Sequence, residues 1–216
     1  MTLLNDERAA GAGAAPVPAE PPADRIRAAA ADDAPRLAAA LAAAFLEDPV
    51  FRWFSPDDHR RGAMLPGFFA VFVAAYLRHG ETSTDAAGSG AALWAAPGTD
   101  PLGVEPVHVE RLEAVAGADA PRLFEIVELL DAHAPPEPHY HLQFLGVRPD
   151  RQGGGLGGRL MAPMLHRCDR DGVPAYLEAT SDRNRALYER HGFRAHGAIP
   201  LPGGPALWRM WRDPAS

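Results

Sequence analysis

The sequence predicts a single domain of mixed α/β class, in which helices pack against a β-sheet. Short apolar stretches bounded by glycine or proline recur along the chain and are typical of strands. Longer stretches between them repeat apolar residues at helical spacing. One apolar stretch leads through a glycine-rich turn into an amphipathic helix, which is the junction of an α/β unit. With 216 residues, the chain can bury one ordinary hydrophobic core but hardly two.

The predicted elements follow an N-terminal segment without periodicity. Residues 1–23 are rich in alanine, proline and glycine and are expected to form a disordered tail, which leaves residues 24–216 as the folded domain. The predicted strands are residues 25–29, 81–85, 91–96, 139–147, 176–180, 194–199 and 206–211. The predicted helices are residues 33–45, 57–79 with an interruption near Pro66, 105–116, 121–133, the segment after the glycines, and 185–191.

Composition limits the classes of function. The only cysteine, Cys168, excludes an intramolecular disulfide framework and is expected to fill space in the core. No apolar run reaches the length of a membrane span and the N-terminus does not resemble a secretory signal, so a cytoplasmic location is expected. The net charge of −7 is uneven, because residues 100–137 hold nine acids and two arginines, whereas arginines outnumber acids beyond them. A basic C-terminal part suits a polyanionic ligand.

The glycine-rich turn predicts a site for phosphate groups. Residues 142–147 read as a buried strand, residues 148–151 as a polar turn, and a run of glycines then opens the helix. Backbone N–H groups at a helix N-terminus attract anions, and glycine lets a ligand approach closely. A Walker-type loop is excluded because the chain has no lysine. The dinucleotide fingerprint matches Gly153, Gly155 and Gly158, but its strand should run straight into the first glycine and more sheet should follow.

A third phosphate-binding turn, Q/R-x-x-G-x-G/A, is satisfied by Gln152, Gly155 and Gly157. A second motif, N-x-x-x-Y-x-x-x-G-F, follows at residues 184–193 after another predicted strand. Both motifs, in this order, resemble the GNAT superfamily of N-acetyltransferases over about residues 139–193. The wording of the second motif is most similar to the puromycin N-acetyltransferase-like branch.

This resemblance implies a mixed, mostly antiparallel sheet with helices on both faces, splayed between its fourth and fifth strands. The helices at 105–116 and 121–133 are then an insertion before the fourth strand, either a lid over the acceptor site or a dimer surface. Phe51, Trp53 and Phe54 either belong to the core or border the acceptor pocket. Gly146 is expected to mark a bulge where the strands separate.

The resemblance also implies acetyl-CoA as co-substrate and no metal. His139 and His141 have no third ligand that would complete a metal site. The residues implied to contact acetyl-CoA are Leu145, Gly146, Val147, Gln152, Gly153, Gly154, Gly155, Leu156, Gly157, Gly158 and Asn184.

Tyr188 is the implied general acid, and it lies four residues after Asn184 on the same helix face. A phenol with a pKa of about 10 is a reasonable proton donor to a departing thiolate with a pKa of about 8.5. The base has two candidates, His141 and Glu178, on neighbouring strands. Strand alternation predicts that Leu145 and His141 share a face with His139 and Gln143.

The predicted function is transfer of acetyl from acetyl-CoA to the amine of a small molecule, by direct attack through a tetrahedral intermediate. Two alternatives stay open: an N-acetyltransferase acting on proteins or peptides, and a non-catalytic acyl-CoA-binding sensor. The predicted partner is a small-molecule amine, with no nucleic acid or membrane, and the chain is expected to be a monomer or a homodimer.

Overall fold

The computed structural model describes residues 25–103 and 105–215, so the tail predicted at residues 1–23 lies outside them. The described chain is of mixed α/β class, as predicted. Its strands are β1 Ile26–Ala28, β2 Glu81–Asp85, β3 Gly90–Ala95, β4 Tyr140–Val147, β5 Ala175–Ala179, β6 Arg194–Pro200 and β7 Ala206–Arg212. Its α-helices are α1 Ala34–Phe45, α2 Pro49–Phe54, α3 Asp58–His79, α4 Val107–Ala116, α5 Ala120–His133, α6 Leu156–Asp171 and α7 Asp182–Glu189.

The strands form one sheet in the order β1-β2-β3-β4-β5-β7-β6. All neighbouring strands are antiparallel except β4 and β5, which are parallel. This parallel pair is short, because only Tyr140 with Ala175 and His141 with Tyr176 are in register. Beyond these two pairs the strands separate, which confirms the predicted splay.

A bulge in β4 accounts for the separation. Leu93 of β3 pairs with Phe144 and the next residue, Trp94, pairs with Leu142, so Gln143 has no partner in this register. A bulge bends its strand and increases the local twist. The bend begins just beyond the last β4–β5 pair and turns the second half of β4 away from β5.

The predicted position of the bulge at Gly146 is therefore wrong. Gly146 is paired in register with Ala91, and a Cβ there would lie 2.6 Å from Leu41 Cδ2 of α1. Close helix packing explains this glycine. The bulge also moves Leu145 to the other face of the sheet from His141, contrary to simple alternation, because two adjacent residues of the strand now point to one side.

Helices cover both faces of the sheet. On one face, α1, α3, α4 and α5 pack over β3 and Phe144 of β4, through a cluster rich in phenylalanine. On the other face, α6 and α7 pack over β4 and β5 through Leu142, Leu160 and Tyr188. The inserted helices α4 and α5 lie on the first of these faces.

The long helix α3 continues through Pro66 without the predicted interruption. Gly62 stands four residues earlier, where a proline ring crowds the backbone. By length and composition α3 could cross a membrane, but half of its most apolar window is buried inside the fold. The helix packs against α1 and supplies Phe68, Phe69 and Phe72 to the core, which is typical of the central helix of a globular domain.

Candidate active site

A cavity of about 120 Å³ lies where β4 and β5 separate. Six phenylalanines line one side: Phe45, Phe51, Phe54, Phe68, Phe72 and Phe144. The inserted helix α5 closes another side with Leu123, Ile126, Val127 and Leu130. The polar side chains that reach the cavity are Gln143, Glu178, Thr180, Asn184 and Tyr188. We refer to it below as the splay pocket.

The wall from α2 combines two roles that sequence analysis left open. Asp48 caps this short helix by accepting hydrogen bonds from the backbone N–H groups of Val50 and Phe51. Phe51 and Phe54 are buried in the core and also line the splay pocket. Trp53 does not line it, and its indole N–H donates to the carbonyl oxygen of Pro202, 3.0 Å away.

Tyr188 lies on α7, which Ser181 caps at its N-terminus. The side chain packs edge-on against Phe193 with 5.9 Å between ring centroids, and the residue is only 7% exposed. Burial, and then the charge of Asp48, raise the pKa of Tyr188 well above its ordinary value. Among the residues that the structure describes, none forms a hydrogen bond with this hydroxyl.

A hydrogen-bonded chain of three side chains borders Tyr188, and sequence analysis missed its first two members. The Thr180 hydroxyl donates to Asp48 and accepts from the Asn184 amide at 3.2 Å. Burial raises the pKa of Asp48, although its hydrogen bonds oppose this shift. The sequence could have predicted the capping role of Asp48, because an aspartate directly before Pro49 is typical of a helix N-terminus. It could not have predicted the contact with Thr180, which is more than a hundred positions away.

The two candidate bases are in contact. His141 Nε2 lies 2.9 Å from Glu178 Oε2, and the two side chains are 25% and 9% exposed. Burial raises the pKa of Glu178, but the nearby charge of His141 and the hydrogen bond between them outweigh burial and lower it overall. Only Glu178 lines the splay pocket. The carboxylate therefore faces the cavity, with the imidazole behind it.

His139 lies farther along the same face. Its ring centroid is 6.1 Å from that of His141 and 5.1 Å from that of Tyr176. Burial lowers the pKa of His139. These rings surround the end of β4 where the strands still pair.

The glycine turn connects β4 to α6. Gly153 and Gly155 have φ angles of +83° and +75°, which only glycine adopts readily, and Gly155 is the N-cap of α6. Apart from the chain neighbours, no atom of the described residues lies within 4 Å of the position that a Cβ would take at Gly153 or Gly154, so the described structure leaves room for a ligand on this side of the turn. The Gln152 amide donates to the Val147 carbonyl oxygen at 2.9 Å and holds the turn against the end of β4.

Three other residues predicted at this turn also pack against neighbouring parts of the protein. The Leu156 side chain is buried beneath α6, which leaves only its backbone to face a ligand. A Cβ at Gly158 would lie 2.6 Å from His191 Nε2, so this glycine lets α6 pack against the end of α7. At Gly157 the corresponding distance to Leu187 is an ordinary 3.5 Å. The donor set of the turn fits a pyrophosphate, since backbone N–H groups and α6 both favour negative charge.

The splay pocket and the glycine turn lie at opposite ends of the second half of β4. Leu145 lines the pocket, and the chain then passes through Gly146 and Val147 to the turn. Within the described residues, no part of β5 pairs with this half of β4. Its backbone groups on that edge are therefore available to an extended ligand arm.

Comparison with known proteins gives a consistent result. Residues 115–193 match the model of the acetyltransferase (GNAT) family. An uncharacterized N-acetyltransferase of Schizosaccharomyces pombe is 28% identical over 189 residues, which cover 79% of this chain and 74% of the yeast protein. The crystal structure of histone acetyltransferase HPA2 and related acetyltransferase from Corynebacterium glutamicum has a TM-score of 0.68 and 29% identity, covering 88% of this chain and 96% of that one. Arylalkylamine N-acetyltransferase 2 from Aedes aegypti shares the fold, with a TM-score of 0.58 at 14% identity over 88% and 98% of the two chains.

The family match and the structural match cover the same site and fold. The family match covers α5, the splayed strands, the glycine turn and α7. The structural match extends over most of the chain, including the strands that precede the insertion. The chain is similar to the GNAT family of acetyltransferases over residues 115–193 and shares the GNAT fold over most of its described length.

Proposed function

We propose that this protein transfers the acetyl group of acetyl-CoA to the primary amine of a small molecule. The observation that carries the proposal is the splay pocket, which has an ionised carboxylate on one wall and a protonated phenol on another. It adjoins a glycine turn suited to pyrophosphate. Carboxylate, phenol and turn are the three parts that acetyl transfer from a thioester requires: a base, an acid and a grip on the co-substrate.

Glu178 is the proposed acceptor of the amine proton. Its lowered pKa keeps it ionised at neutral pH, so it attracts an ammonium ion into an otherwise apolar cavity. His141, 2.9 Å behind it, stabilises the ionised carboxylate. The amine nitrogen, once deprotonated, attacks the thioester carbonyl directly.

Tyr188 is the proposed acid. In the transfer a nitrogen–carbon bond forms and the carbon–sulfur bond breaks, while the Tyr188 proton passes to the departing sulfur. The second proton that the nitrogen loses as it becomes an amide restores the phenol of Tyr188. The hydroxyl is suited to this role because its raised pKa keeps it protonated. Asn184 and Thr180 fix one edge of the same cavity through their hydrogen bond.

The proposed co-substrate contacts are backbone groups along β4 from Leu145 to Val147 and the open face of the glycine turn. Gln152 supports these contacts indirectly, through its hydrogen bond to Val147. Gly153 and Gly155 provide the backbone geometry that an amide cradle needs.

The size of the splay pocket favours a small acceptor. A cavity of about 120 Å³ holds a compact apolar group, and α5 covers it from the side where an open groove would admit a peptide. This cover supports a small molecule over a protein acceptor. The insertion thus acts as part of the pocket wall in this proposal.

The test is calorimetric titration with acetyl-CoA, followed by a free-thiol assay with a panel of small primary amines. We expect binding with thiol release that depends on the amine. Binding without release for every amine, combined with acetylation of a peptide library, would replace the small-molecule proposal with a peptide acceptor. Absence of acetyl-CoA binding would refute the proposal at its first step.

A further inference from the structure

A second, larger cavity of about 500 Å³ lies beside the segment that follows α5, on the face of the sheet that carries Tyr176 and Glu178. Its walls include Pro135, Pro136, Glu137, Tyr176, Arg209 and Trp211. Tyr176 and Glu178 are two residues apart on β5, so their side chains point to the same face about 7 Å apart. The second cavity therefore adjoins the splay pocket along one strand.

Two buried donors in this cavity have no partner. The Tyr176 hydroxyl and Arg209 Nε are both buried, and no hydrogen-bond partner for either lies among the described residues. Tyr176 is only 3% exposed. Buried polar groups in folded proteins are normally satisfied, so two unsatisfied donors lining one cavity indicate a ligand that supplies acceptor atoms.

The charge of Arg209 is also unmatched. Its terminal nitrogens reach only the carbonyl oxygens of His133 and His196, at 3.3 and 3.5 Å. No carboxylate lies within 4 Å of its guanidinium group in the described part of the chain. A partly buried cation that has no anion is costly unless a ligand provides one.

Glu178 is the obvious partner, yet it is engaged elsewhere. Glu178 of β5 and Arg209 of β7 are directly opposite in the register, which places their Cβ atoms on one face about 5 Å apart. Glu178 instead pairs with His141, on the opposite side of β5. Gly197 helps to seat the guanidinium away from Glu178, because a Cβ at this glycine would lie 2.9 Å from Arg209 Nη2. Among the described residues, the Arg209 guanidinium is therefore left without a carboxylate partner although Glu178 is its cross-strand neighbour.

We propose that this cavity binds the carboxylate group of the acceptor, so that the preferred substrates are amino acids or similar amines that carry a carboxylate. The inference rests on the proposed acetyl transfer. The ammonium group of such an acceptor meets Glu178, one carboxylate oxygen accepts from Arg209 Nε and the other from the Tyr176 hydroxyl. Burial and the charge of Glu178 raise the pKa of Tyr176, which keeps this hydroxyl a donor.

Local charge favours a carboxylate over a phosphate. Glu137 lines the same cavity and Glu178 lies next to Tyr176, so two negative groups oppose an anion of higher charge. One guanidinium balances one carboxylate. The indole of Trp211 and the two prolines leave apolar room for the carbon skeleton of the acceptor.

The test compares L-phenylalanine with its carboxamide and with phenethylamine, and L-leucine with its carboxamide and isopentylamine. We expect the wild-type protein to prefer the carboxylate in kcat/KM by about ten- to hundredfold. Arg209→Gln should remove this preference by raising KM for the amino acids, with kcat and all rates for the uncharged amines unchanged. Tyr176→Phe should also lower the acid-to-amide ratio of kcat/KM, and this ratio provides the test if the arginine variant does not fold.

Three results would overturn the inference. Equal use of acids and amides by the wild-type protein would leave acetyl transfer standing and remove the carboxylate site. Equal losses for charged and uncharged acceptors in both variants would show that Arg209 and Tyr176 have structural roles only. Acetyl-CoA binding without transfer to any of these amines would refute the proposed function, and the inference with it.

Discussion

Removal of one oxygen atom tests the proposed acid. Tyr188→Phe keeps the ring that packs 5.9 Å from Phe193 and deletes only a hydroxyl that has no hydrogen-bond partner in the described residues. The free energy of unfolding should therefore change by less than about 1 kcal/mol. A general acid typically contributes about a hundred- to ten-thousandfold in rate, or roughly 3 to 5 kcal/mol of transition-state stabilisation.

The assay is thiol release at saturating acetyl-CoA and amine, together with calorimetric binding of acetyl-CoA. We expect kcat to fall at least about a hundredfold while acetyl-CoA affinity stays within about twofold. Tyr140→Phe is the matched control, because its hydroxyl donates to Asp171, away from the splay pocket, and its kcat should not change. A Tyr188→Phe enzyme with kcat within about threefold of wild type would exclude the acid role.

Three further predictions follow from charge and backbone geometry. Glu178→Gln should lower kcat about a hundredfold from pH 6 to 9, since the lowered pKa keeps the wild-type carboxylate ionised across that range; an unchanged rate at saturating amine would remove it as base. Gly155→Glu should abolish calorimetric acetyl-CoA binding, because a side chain strains a backbone with φ of +75° and adds negative charge at α6; normal affinity would relocate the phosphate site. Asp33→Asn should cost about 2 kcal/mol in urea unfolding at pH 7 and clearly less at pH 2. The hydrogen bond from Arg27 lowers the pKa of Asp33, so its stabilisation is complete above about pH 4 and is lost as pH falls toward the folded value; equal losses at both pH values would contradict this.

Local patterns predicted most of the fold. The strand and helix positions follow from apolar periodicity and from proline and glycine at the boundaries, and the glycine turn with the Asn184–Tyr188 spacing identified the family. The position of the bulge could not be predicted in this way. It depends on how β3 and β4 pair, and Gly146 looked like the bulge because its real constraint, contact with Leu41, comes from another part of the chain.

In the candidate site, too, individual residues could be predicted from the sequence but their contacts could not. Sequence analysis identified Tyr188, His141 and Glu178 separately, but it did not predict that His141 and Glu178 touch or which of them faces the cavity. Which of the two side chains faces the cavity depends on how both are oriented on their neighbouring strands, β4 and β5. Asp48 was missed because its contact with Thr180 joins segments that are distant in sequence.

The unpaired residue Gln143 divides β4 into two halves whose side chains alternate in opposite phase. Before Gln143, the odd-numbered residues point to the sheet face that α1, α3, α4 and α5 cover. Beyond it, the even-numbered residues point to that face. A substitution at Gln143 preserves this switch, whereas deletion of one residue would turn Phe144 away from its aromatic cluster and press Leu145 against α1. The strand register therefore tolerates a different residue at this position, whereas a change in strand length here would disrupt the splay pocket and the path of β4 from it to the glycine turn.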